Sequence, residues 1–141
     1  MKRNPLYTIM APKSVAFLGA SNTLGKMGTS QLLNVLFNEF PGRVLPVHPK
    51  EKAVLGLTAY PSIRELPEAP DLAILVVPSK LILSMMTDLG ELGTRHAIFM
   101  SAGFKETGEE GRGLEEEILE VCESYGMRFL GPNCKGVLTT H

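Results

Sequence analysis

Three glycines, Gly19, Gly25 and Gly28, punctuate the stretch SVAFLGASNTLGKMG at residues 14–28. An apolar run precedes it, and a helical pattern follows from Thr29 to Phe40. Glycine lets a backbone approach a ligand closely, and a helix N-terminus offers unpaired N–H groups and a partial positive charge. Strand, glycine loop and helix in that order make a phosphate-binding turn. Ser21, Asn22 and Thr23 bring hydrogen-bonding groups, and Lys26 brings charge. The spacing is G-x5-G-x2-G, so the strict dinucleotide fingerprint G-x-G-x-x-G is absent.

A second loop narrows the ligand. An NAD site places an acid after its second strand to hold the ribose hydroxyls. Here that position reads Val47-His48-Pro49-Lys50, with no acid before Glu51 and with Lys52 beyond it. A basic end suits an additional ribose phosphate, either the 2′-phosphate of NADP or the 3′-phosphate of coenzyme A. A third loop, Val77-Pro78-Ser79, offers an apolar wall, and Ser79 is placed to cap the next helix. A fourth, Ser101-Ala102-Gly103, is small where backbone must come close to something, and its acids Glu106, Glu109 and Glu110 suit a helix N-terminus. A fifth, Gly131-Pro132-Asn133-Cys134, puts a cysteine in a polar turn. No His–Asp or His–Asn partner for Cys134 is evident, so no residue is assigned as catalytic, and none as a metal ligand. Cys122, on a helix face, reads as a small buried apolar residue.

The elements that must carry these loops follow from apolar periodicity. Short continuous apolar runs at 15–18, 44–47, 72–77, 97–100 and 127–130 read as strands buried on both faces. Between them, 31–40, 79–89 and 114–125 read as helices, stopped by Pro41-Gly42 in the first case and Gly126 in the last, and 62–66 as one short turn. Alternating β and α at this rhythm predicts an α/β fold, a Rossmann-like doubly wound parallel sheet of about five strands in the order 3-2-1-4-5. Pro46 predicts a second strand that is short or distorted near its end. In such a sheet the five loops lie together beyond the carboxyl ends of the strands.

The chain has 141 residues, a net charge of −1 and two cysteines. Length and composition predict one domain in a reducing, cytoplasmic setting; its bounds are expected at a lead-in over 1–12 and a folded unit over 13–141. The near-neutral charge gives no sign of a nucleic-acid or membrane surface, and no apolar run is long enough to span a bilayer.

The stretches PKSVAFLGASNTLGKMG, VLPVHPKEKAVLGLTAYPSIRELP, PDLAILVVPS, SAGFKETGEEG and YGMRFLGPNCKGV occur in this order from Pro12 onward. Together they resemble the CoA-binding domain of NDP-forming acyl-CoA synthetases, the family of ADP-forming acetyl-CoA synthetases and the succinyl-CoA synthetase alpha subunit. The resemblance implies CoA contacts at Ser21, Asn22, Leu24, Lys50, Val77, Pro78, Ser101, Ala102 and Gly103, which join Gly19, Gly25 and Lys26, expected at the ligand from the glycine loop itself. It also implies that Asn133 and Cys134 lie near the thiol. The thiol would attack an acyl phosphate supplied by a phosphohistidine relay on a flavodoxin-like domain and by an ATP-grasp module. None of His48, His96 and His141 matches the relay motif, so those partner domains are expected outside this sequence. The chain alone would then bind CoA without turnover. An NADP-binding oxidoreductase domain and a CoA-sensing module fused to an acetyltransferase are the alternatives.

Overall fold

The computed structural model describes residue 4 and residues 6–137; His141, weighed above as a relay histidine, and part of the expected lead-in lie outside them. Among these residues the strands are β1 (Ser14–Leu18), β2 (Arg43–Val47), β3 (Ala53–Val54), β4 (Leu57–Thr58), β5 (Leu72–Leu75), β6 (His96–Phe99) and β7 (Arg128–Leu130). The helices are α1 (Tyr7–Met10), α2 (Met27–Phe37), α3 (Ser79–Leu92) and α4 (Glu109–Tyr125). Five strands pair in parallel in the order β2-β1-β5-β6-β7, and β3 and β4 form a separate antiparallel hairpin. This is the Rossmann-like α/β sheet that the sequence predicts.

Side chains alternate across the sheet and divide the interior into two cores. Ala16, Leu18, Ala73, Leu75, Ala97 and Phe99 face Ile82, Met86 and Leu89 of α3 and Ile118 and Cys122 of α4. Val15, Phe17, Leu72, Ile74, Ile98 and Met100 face Leu32 of α2. Ile9 of α1 is also buried in this second core.

The order keeps the 3-2-1-4-5 style with one reassignment. The place outside β2 is held by a single residue, Tyr60, bridging in parallel to Val47. The run 72–77, predicted as the third strand, forms β5 over Leu72–Leu75 and instead takes the fourth place, directly beside β1. The same bridge explains Pro46. The strand is regular through Val47, contrary to the expected distortion, because the Pro46 carbonyl points outward and accepts the Tyr60 N–H at 2.9 Å. The N–H that proline lacks would lie on that sparsely paired side, so no bond of the main ladder is lost.

Helix ends moved where tertiary contacts decide them. The first long helix starts at Met27, not Gln31, and ends at Phe37, ahead of Pro41-Gly42. Ser79 is the first helical residue of α3 and makes no capping bond; Pro78 holds the N-cap position. That helix runs on to Leu92 and stops at Gly93, where φ is 114°. Helix α4 starts at Glu109, with Glu109 and Glu110 in its first turn as the dipole argument expects, and stops at Gly126.

Candidate functional site at the carboxyl edge

Because all five sheet strands are parallel, the loops after β1, β2, β5, β6 and β7 emerge on one edge. β1 and β5 are neighbours whose connections leave to opposite faces of the sheet, α2 on one and α3 on the other. The crevice between their ends is therefore the switch point where ligands bind in such sheets.

Two glycines set how closely the first loop can pack there. A Cβ on Gly19 would lie 2.0 Å from the Val76 carbonyl oxygen, and φ at Gly19 is 101°. A Cβ on Gly28 would lie 2.1 Å from the carbonyl oxygen of Gly19. The loop thus lies flat against the end of β5, and α2 lies flat against the loop. Gly25 is different: φ is 86° and nothing approaches its face, so it serves the turn alone. The N-terminus of α2 that this arrangement delivers has no side-chain cap at Lys26 and no acid in its first turn. Its leading N–H groups and dipole are left to an anion. Leu24 and Lys26 are exposed on the same loop.

Several expected contact residues are already engaged within the protein. Ser21 is tied to Thr29: the buried Thr29 hydroxyl donates to the Ser21 carbonyl at 3.0 Å and accepts the Ser21 N–H at 3.2 Å. Asn22 uses both ends of its amide on the hairpin, donating from Nδ2 to the Ala53 carbonyl and accepting the Leu55 N–H at Oδ1, each at 2.9 Å. The buried Ser101 hydroxyl donates to the Val77 carbonyl and accepts the Val77 N–H at 3.3 Å, which locks the loop after β5 to that after β6. These side chains shape the edge, and what they leave to a ligand is the backbone they fix.

Lys50 is exposed at the end of β2. Its turn is held by His48, whose Nδ1 accepts the backbone N–H groups of Lys50 and Glu51 at 3.1 and 2.9 Å. Gly103, with φ 103°, sits where a Cβ would lie 2.6 Å from the Ser79 hydroxyl. Its N–H is taken by the Glu106 carboxylate at 2.6 Å. That bond, with the N–H groups of Glu106 itself and Phe104, holds the Glu106 carboxyl below its ordinary range. Glu106 therefore closes its own loop and lies outside the first turn of α4, unlike the dipole role expected of it. Pro78 and Ala102 are exposed and Val77 half-buried beside them.

The last loop is pinned across the edge by its backbone. Asn133, with φ 60°, donates its N–H to the Ser101 carbonyl at 3.0 Å, and Cys134 donates its N–H to the Phe99 carbonyl at 3.0 Å. The half-buried Cys134 thiol accepts the Gly136 N–H at 3.4 Å and packs against the second core. Cys122 is buried, and burial pushes its thiol up to about 11, matching its expected inert role.

The sequence reading overlooked Thr29 as a builder of the site. The available signal is a hydroxyl at the third residue of a helix that opens on a glycine loop. Two clefts flank the edge without enclosing the first loop. One, of about 830 Å³, runs between the starts of α3 and α4 and is entered past Ser79 and Gly103. The other, of about 670 Å³, lies on the α2 face over Phe17, Ile74 and Ile98. The first loop and Lys50 line neither of these two clefts. No helix among the described residues is long and apolar enough to cross a membrane.

Residues 13–140 match the family model described as a CoA binding domain. The alpha subunit of an ADP-forming acetate–CoA ligase II from Pyrococcus furiosus is 43% identical over 131 residues, covering 92% of this chain and 28% of the relative. An ADP-forming acetate–CoA ligase I from Archaeoglobus fulgidus is 45% identical over 129 residues, covering 92% of this chain and 18% of the relative. The chain thus spans less than a third of the curated relatives it matches. Among solved structures, the apo form of a dinucleotide-forming acetyl-coenzyme A synthetase 1 from Ca. Korarchaeum cryptofilum superposes with a TM-score of 0.86 at 38% identity, covering 91% of this chain and 28% of that one. A conserved hypothetical protein from Pyrococcus furiosus superposes with a TM-score of 0.68 at 30% identity, and there the match covers 95% of the solved chain. With the parallel sheet, the glycine loop at its switch point and the model match over 13–140, the chain belongs to the CoA binding domain family and is homologous to the corresponding part of ADP-forming acyl-CoA ligases.

Proposed function

We propose that the carboxyl edge binds coenzyme A and presents its thiol to an acyl phosphate made elsewhere in a longer ligase. The observation that carries this reading is the N-terminus of α2, uncapped and free of acid, brought against the switch point by Gly19 and Gly28. The CoA diphosphate is placed on the backbone of the first loop and on Lys26. Lys50, on the turn fixed by His48, is placed on the 3′-phosphate. The pantetheine arm then crosses Val77 and Pro78 and the backbone of Ser101, Ala102 and Gly103, towards Asn133 and Cys134. The thiolate sulfur attacks the acyl carbonyl carbon, the carbon–oxygen bond to phosphate breaks, and phosphate leaves. The acyl phosphate, the relay histidine and the nucleotide chemistry are assigned to flavodoxin-like and ATP-grasp partners. The relatives supporting this are named as CoA ligases, which favours it over the NADP reading.

Calorimetry of this chain with CoA and with dephospho-CoA tests the assignment. An exposed charge-assisted contact to the 3′-phosphate is worth on the order of 1 kcal/mol, so CoA should bind about fivefold more tightly. Lys50→Ala should abolish that preference and leave dephospho-CoA binding unchanged. Equal affinity for the two ligands in the unmodified chain would remove the role given to Lys50.

A further inference from the structure

We propose that Asn22 is a positioning residue that sets selectivity for the 3′-phosphate without touching it; this rests on the placement of that phosphate on Lys50. The first loop and the turn after β2 leave neighbouring strands whose ladder pairs them as far as Leu18 and Val47, and beyond that pair they diverge. Asn22 spans the gap. Its Nδ2 donates to the Ala53 carbonyl and its Oδ1 accepts the Leu55 N–H, so one planar amide brackets Val54 along β3 and the entry to the hairpin turn. The hairpin is in turn continuous with the lysine turn. The Ala59 N–H bonds the Lys52 carbonyl at 2.9 Å, the His48 N–H bonds the Tyr60 carbonyl at 2.9 Å, and Val54 is fully buried between them and the sheet. Leu55 holds φ at 49°, a conformation unfavourable for its side chain, directly where Asn22 takes its N–H.

The other end of the clamp is equally fixed. Asn22 follows Ser21, whose N–H, hydroxyl and carbonyl are all tied to the buried Thr29 of α2. A force path of hydrogen bonds therefore runs from the α2 N-terminus through Thr29, Ser21 and Asn22 to the hairpin and the turn bearing Lys50. CoA carries its diphosphate and its 3′-phosphate at a set separation on one adenosine. A protein that reads both must hold the two anion subsites at that separation, and freezing it before binding avoids the entropic cost of ordering the turn with the ligand. The first loop supplies one subsite, Lys50 supplies the other, and the Asn22 amide joins them.

Asn22→Ala tests this on the full chain. The preference for CoA over dephospho-CoA should fall from about fivefold to less than twofold, because the Lys50 turn is no longer registered against the first loop. In a Lys50→Ala background the same substitution should leave the ratio unmoved, since the contact it tunes is gone. Amide exchange at Leu55 gives an independent readout of the clamp: its protection should drop at least tenfold in Asn22→Ala. A merely structural residue would weaken both ligands equally, and an unchanged ratio in Asn22→Ala overturns the proposal. If instead Lys50→Ala leaves the ratio untouched, the placement of the 3′-phosphate is what fails. An unprotected Leu55 amide in the unmodified chain also overturns the proposal.

Discussion

Replacing Gly28 by alanine separates local helix preference from the tertiary packing of the first loop. Gly28 lies inside α2, where alanine is favoured over glycine by about 1 kcal/mol, so propensity alone predicts a gain. The structure predicts the opposite. The new methyl would lie 2.1 Å from the Gly19 carbonyl oxygen and 3.2 Å from the Ala20 nitrogen, both backbone atoms that cannot rotate aside. Helix and loop must part by more than about 1.3 Å to bring 2.1 Å up to ordinary contact distance. Overpacking of this kind costs about 3 kcal/mol at the upper end, leaving a net loss of about 2 kcal/mol after the propensity gain. For a chain of this length that lowers Tm by about 6 °C. The same shift stretches an N–H···O bond to bound phosphate from about 2.9 Å past its useful limit, and losing one charge-assisted bond weakens CoA about tenfold. Gly113 is the matched control: it lies inside α4 with open space where its Cβ would be, so Gly113→Ala should raise Tm by about 3 °C. Thermal unfolding by circular dichroism, with calorimetry of CoA, reads all of these. A Gly28→Ala chain that melts higher, as Gly113→Ala should, with unchanged CoA affinity, would refute the packing argument.

The remaining predictions concern titration. Burial raises the Cys122 thiol to about 11, so the stability it contributes is present below its ordinary value and is lost as pH rises towards 11. At neutral pH iodoacetamide should therefore modify Cys134 in the native chain and reach Cys122 only after denaturation; equal labelling of both in the native state would contradict this. Glu106 has the opposite sign. Its carboxyl is lowered chiefly by the Gly103 N–H, so its contribution is present above the ordinary glutamate value and is lost as pH falls through the lowered one. The Gly103 amide resonance should follow that protonation with a midpoint below that of an ordinary glutamate, and a midpoint at or above it would show that the contact does not persist in solution.

Much of the fold was legible because strands buried on both faces must be apolar throughout. Runs such as Val15–Leu18 and Leu72–Leu75 announce themselves, and Gly126 marks a helix end by its freedom at positive φ. The strand order was harder. The outer place beside β2 is held by one residue, and a single bridge at Tyr60 leaves no periodic signal. Leu72–Leu75 was therefore counted one place too early. In the site, the loops were legible as glycine-rich turns after strands, but the work of their side chains was not. Asn22, Ser21 and Ser101 carry hydrogen-bonding groups at a ligand edge, which sequence alone reads as groups offered to a ligand. Their partners lie 31 and 33 residues away for Asn22, 8 for Ser21 and 24 for Ser101, and separation along the chain says nothing of separation in space.

By itself the sequence determined what depends on near neighbours: the alternation of strands and helices, the turns where glycine and proline permit them, and the gathering of five loops on one edge that follows from parallel strands. The tertiary structure alone decided which of those loop groups remain available. Gly19 and Gly28 have no room for a side chain because backbone at Val76, just past β5, and from the loop itself occupies it. Gly25 and Gly113, the same residue in similar company, face open space. Steric exclusion and hydrogen-bond satisfaction are settled between segments that meet only when the chain has folded, and no local pattern encodes them.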